Sequence, residues 1–159
     1  MCVKERLFPA VVAALLLSGC GPAEPDSPPS TRTSSADFES LADKVAFLEQ
    51  YMRFRRSYLQ LDFDIAYRSG ADGLLPAPSE WDIRIVAQVP PGELAEWHAG
   101  LSPTAPPDMA WLRDLHTPIE HRGVSQWYTP PGVGVGGEPS LVVGVDPARS
   151  VVVYRSLNY

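Results

Sequence analysis

His116, Glu120 and His121, with Asp114 just upstream, form the densest group of metal-ligating and proton-carrying side chains in the sequence. Imidazoles and a carboxylate are the ligand set of zinc and the acid and base of hydrolysis. Their spacing opposes both uses. Pro118 interrupts any helix that would bring His116 and Glu120 to one face, and the H-E-x-x-H pattern is absent. We expect a loop with locally satisfied histidines, no metal and no catalytic residue; the alternative is a hydrolase using His116, Glu120 and His121.

Other groupings are weaker. Gly132, Gly134, Gly136 and Gly137 resemble a phosphate cradle in composition, but Glu138-Pro139 and a strand follow where such a cradle needs a helix N-terminus, so a hairpin loop is expected. Ser125 lacks the second glycine of a nucleophile elbow. Asp62 and Asp64 share one face of a strand, a geometry open to calcium but ordinary for an outward polar face. Trp81, Trp97, Trp111 and Trp127 are many for one domain. Most should be core, and Trp97, Trp111 and Trp127 are the candidates for a binding surface. No cofactor is expected.

The elements that must carry these residues follow from periodicity. From Asp37 to about Arg56 the apolar residues Phe38, Leu41, Val45, Leu48 and Met52 recur at steps of three and four, which predicts an amphipathic helix capped by Ser34 or Ser35. Docking on its own sheet is the simpler use of that stripe, and a dimer seam the rarer one. Leu59 to Tyr67 and Trp81 to Val89 alternate as two antiparallel strands around the Gly/Pro-rich connection from Ser69 to Glu80. Short helices are expected after Pro91 and near Pro107-Asp108, and a third strand over Val124 to Tyr128. Leu141 to Val145 and Val151 to Arg155 then form a hairpin turning at Asp146-Pro147. The fold class is α+β: an antiparallel sheet of about four to five strands with the N-terminal helix and short helices packed on one face.

The N-terminus supplies an address. Lys4 and Arg6 precede an apolar run from Leu7 to Leu17 that has signal-peptide shape and is too short for the ~20 residues of a membrane span. It ends in Leu17-Ser18-Gly19-Cys20. This pattern resembles the lipobox of bacterial lipoprotein precursors. The resemblance implies cleavage before Cys20, a diacylglyceryl thioether on its thiol and acylation of the new amino terminus. Two or more acyl chains, at ~0.8 kcal/mol per buried methylene, anchor stably where one does not. The resemblance places the mature protein outside the cytoplasm. Gly21, a residue other than Asp after the lipidated Cys, points to the periplasmic face of the outer membrane in a Gram-negative host, and otherwise the anchor lies on the outer face of the cell membrane. It covers the leader and tether only.

The domain expectation is therefore a signal peptide over 1–19, a lipidated Cys and disordered Pro/Ser-rich tether over 20–35, and one α+β domain over 36–159. Cys2 leaves with the leader, so the mature chain has no disulfide. It keeps 11 basic and 18 acidic side chains, a formal charge of −7. That balance argues against a nucleic-acid partner. The expected function is a lipid-anchored binding or protein-interaction module of the cell envelope, in one version an inhibitor or immunity protein. Its partners would be the membrane through Cys20 and an envelope protein; a structural lipoprotein that self-associates through its helix is the third reading.

Overall fold

A computed structural model describes residues 30–69, 79–132 and 140–158. The leader, Cys20, most of the tether and nearly all of the glycine run therefore lie outside the described residues. The described strands are β1 (Ser30–Ser34), β2 (Gln60–Arg68), β3 (Glu80–Gln88), β4 (Ser102–Pro103), β5 (Gln126–Thr129), β6 (Leu141–Asp146) and β7 (Val151–Asn158). They form one wholly antiparallel sheet in the order β1-β2-β3-β7-β6-β5-β4. The α+β class and the pairing of the two alternating strands hold. The count is seven strands, above the expected four to five.

The two extra strands are the sheet edges, and neither has a periodic signature. β1 is Ser-Thr-Arg-Thr-Ser, lies within the stretch read as tether, and pairs Ser30 with Arg68 through Ser34 with Asp64. The sheet thus begins upstream of the domain boundary placed at 36. β4 has only two residues, one of them Pro103, which suits an edge that needs no second ladder of donors.

The N-terminal helix is shorter than its apolar stripe. Ser34 caps a 3₁₀ turn at Ser35–Asp37, with its hydroxyl accepting from Ala36 N and Asp37 accepting from Ser34 N. Ser40 caps the true helix, α1 (Leu41–Tyr51), by accepting from Asp43 N at 3.1 Å. Met52 is extended and Arg55 adopts φ 52°, so the arginines expected in the last helical turn lie beyond it.

Alternation in the central strands divides the core between two faces. On the first, Phe63, Ile65, Ile85, Val143, Val145, Val152 and Tyr154 meet Leu48 of α1 and Trp97 of the 3₁₀ helix Pro91–His98, with Phe38, Val45 and Met52 packed around them. Apart from the exposed Leu41, the stripe packs on this chain's own sheet. On the second, Val86, Val142, Val151, Val153 and Trp127 lie under Trp111, Leu112, Leu115 and Ile119. These belong to or follow the single-turn α2 (Ala110–Arg113). Both faces are covered, which corrects the expectation of helices on one face. The almost unbroken apolar runs of β6 and β7 require it, because each fully buried Val or Leu side chain gains ~1.5–3 kcal/mol only when water is excluded from both sides. Gly144 is needed there: a Cβ on it would sit 2.6 Å from side-chain atoms of Trp127 and Val153.

Candidate functional site

The second face is apolar over only part of its area. Toward β1 it carries three successive rows of polar residues set by register. The innermost runs Ser34-Asp64-Arg84-Arg155 across β1, β2, β3 and β7. The next runs Arg32-Ala66-Asp82-Leu157, and the outermost is Ser30-Arg68-Glu80. Arg84 and Arg155 are direct neighbours, an arrangement that repels unless a counter-ion intervenes. Asp82, one row outward, is that counter-ion. It accepts from Arg84 Nε at 2.9 Å and from Arg155 Nε at 3.1 Å.

Burial pushes the Asp82 carboxyl toward a higher pKa, but the hydrogen bonds from Arg155 and Arg84 outweigh it and hold the group below the usual carboxylate range. Arg32 Nε donates to both oxygens of the buried Asp64, at 2.9 and 2.7 Å, which raises the guanidinium pKa further. Arg68 meets Glu80 more loosely, at 3.5 Å. Among the described residues four guanidinium groups thus stand against three carboxylates, because Asp82 serves two.

Ala66 is the small residue between Arg32 and Asp82, and over it lies a groove of about 430 Å³. All four arginines line it, while Glu80 and Asp82 are its acidic lining. Tyr67 and Trp81 border it along the strands, but alternation sends their rings, 4.5 Å apart, to the first face, where Trp81 also meets Tyr51 of α1. The inner pair is mostly buried, and Arg32 and Arg68 are 59% and 66% exposed. A planar guanidinium offers paired donors to a carboxylate or a phosphate, so this lining suits an oxyanion. No family model, curated protein or solved structure matches this chain. The groove therefore has to be interpreted from its own chemistry.

The residues singled out in the sequence fall elsewhere. His116 and Glu120 are exposed, and the half-buried His121 places Nδ1 2.9 Å from the Ile119 carbonyl oxygen. Among the described residues no three His, Cys, Asp or Glu side chains are grouped to hold a metal. Trp97, Trp111 and Trp127 are only 5%, 4% and 5% exposed, so as core side chains they present no binding surface. Trp111 bears on the groove indirectly, because the Arg155 guanidinium lies 5.9 Å from its ring centre.

Asp62 and Asp64 do share a face, but both are buried and already paired. Asp62 accepts from Ser35 Oγ at 3.0 Å, Lys44 Nζ at 2.8 Å and Thr117 Oγ1 at 2.7 Å, leaving a cation no open position of the kind calcium needs. Ser125 is exposed at the start of β5. Cys20 lies outside the described residues.

Sequence reasoning passed over the groove although part of its signal was present. Asp64, Arg68, Asp82 and Arg84 stand on the wet sides of the two alternating strands, and antiparallel pairing brings those sides together. Arg32 lay in the apparent tether and Arg155 ended an apolar run, so neither was attributable to the same surface before the strand order was known.

Proposed function

We propose that this chain is a lipid-anchored extracytoplasmic binding module, and that it holds an anionic group in the arginine-lined groove. The observation that carries the reading is the gathering of four guanidinium groups around Ala66 in a chain whose formal net charge is −6. Positive charge gathered against the overall balance, on a sheet with apolar cores on both faces, is an arrangement for recognition more than for solubility. The Leu17-Ser18-Gly19-Cys20 pattern supports the anchor. The His116, Glu120 and His121 side chains give an enzyme no converging acid and base, so the binding reading is the better supported one.

A thermal melt with rising pyrophosphate, set against sodium chloride of equal ionic strength, tests the groove. Ligand bound only to the folded state raises stability by RT ln(1 + [L]/Kd), about 2.7 kcal/mol at a hundredfold excess over Kd. The expected result is a rise in Tm specific to pyrophosphate that Arg68→Glu abolishes. An equal rise in the variant would remove the groove as the site.

A further inference from the structure

We propose that the anion taken by the groove is the phosphate of an acidic phospholipid headgroup, in the membrane that carries the anchor. This deepens the preceding reading and rests on it for the acyl attachment at Cys20. Two observations converge on a lipid source. The first is position: Ser30 opens β1 and itself lines the groove, and Cys20 lies ten residues upstream. In polyproline geometry a segment of that length spans ~31 Å, at ~3.1 Å per residue, so a tether attached at Cys20 would keep the groove within reach of the headgroups.

The second is which arginines remain available. Arg84 and Arg155 are held by Asp82, whereas Arg32 and Arg68 are largely exposed. Arg32 engages Asp64 through Nε, and among the described residues its terminal nitrogens have no protein partner. Those nitrogens and the loosely held Arg68 are the donors that meet a phosphate, and charge-assisted pairing of this kind is strong where water is partly excluded.

A free phosphate offers the same oxygens, so the test separates the two sources. The mature chain carrying Cys20→Ser, which cannot be acylated at that position, is sedimented with vesicles of phosphatidylcholine alone or mixed with phosphatidylglycerol. The expected result is association with the mixed vesicles only. Near an anionic surface each basic side chain contributes ~1 kcal/mol, so Arg68→Ala should weaken binding about fivefold and Arg68→Glu about thirtyfold. Glu80→Gln, which removes an acid from the lining, should strengthen it about fivefold. These side chains are exposed, so the variants keep the fold.

Equal binding to both vesicle types, or binding indifferent to Arg68→Glu, would overturn the proposal. So would absence of vesicle binding by a chain that pyrophosphate still stabilises, an outcome that leaves the anion groove standing and assigns its ligand to a free or protein-borne source. Palmitate labelling of the full-length chain in cells reads the anchor separately. Label on wild type that Cys20→Ser abolishes supports the positional argument, and absence of label on wild type removes it.

Discussion

Asp82 is a single carboxylate asked to neutralise two arginines that the sheet register sets side by side. Asp82→Asn keeps the shape and removes the charge, and each guanidinium loses a charge-assisted partner. The expected cost is about 1–3 kcal/mol near neutral pH, read by urea unfolding. Because the folded-state pKa of Asp82 is depressed, its contribution is present above the ordinary aspartate value of about 3.9 and is lost as pH falls through the folded value. Wild type and variant should therefore converge on acidification; a gap that persists in acid would show that shape, and not charge, accounts for the loss. The residue types of this network were legible in the alternation of β2 and β3, and their partners were not. Period two says that Asp64 and Arg84 avoid the apolar face, yet only the register says that they oppose one another. Asp62 was read as an outward acid for the same reason, since nothing local shows that Lys44 and Thr117 close over it.

Among elements, the long strands announced themselves and the edges did not. β2, β3, β6 and β7 have either strict alternation or sustained apolar runs, so burial dictates their sequence. β1 is bonded on one side and carries small polar residues, so its composition is that of a linker and its structure comes from β2. α1 was legible in its stripe but not in its bounds, because Ser40 competes with Ser34 and Ser35 as a cap and prevails by closing on Asp43. Asp62 joins three of these pieces: the turn at 35–37 through Ser35, α1 through Lys44 and the segment after α2 through Thr117. Asp62→Ala should cost about 1.5–3 kcal/mol, as expected for loss of hydrogen bonds to a charged group. Hydrogen exchange should show the protection lost first in the 35–37 turn and around Thr117. An unchanged urea midpoint would mean that these pieces are held by packing alone.

At the scale of the whole molecule, the aromatic cluster around Tyr154 sets an alkaline limit. Burial pushes the Tyr154 hydroxyl up to about 12, and that of Tyr58 higher still. Phenols of the unfolded chain ionise near 10, so between about pH 10 and 12 the unfolded state gives up protons that the folded state retains, and stability falls as pH rises. Tyr154→Phe should flatten that limb in equilibrium unfolding; an unaltered slope would exclude Tyr154 as its source. The same overall layout has a mechanical side. Among the described residues, any load transmitted along the chain from its N-terminal side enters the sheet at Ser30, the outermost pair of a strand fastened along one edge only. Such a ladder loaded at its end yields one bond after another, and each residue released frees ~3.3 Å of chain. β1 thus acts as a compliant stage ahead of the stiff central strands. Arg32, with Ser30 and Thr31, is the part of the groove that travels with it.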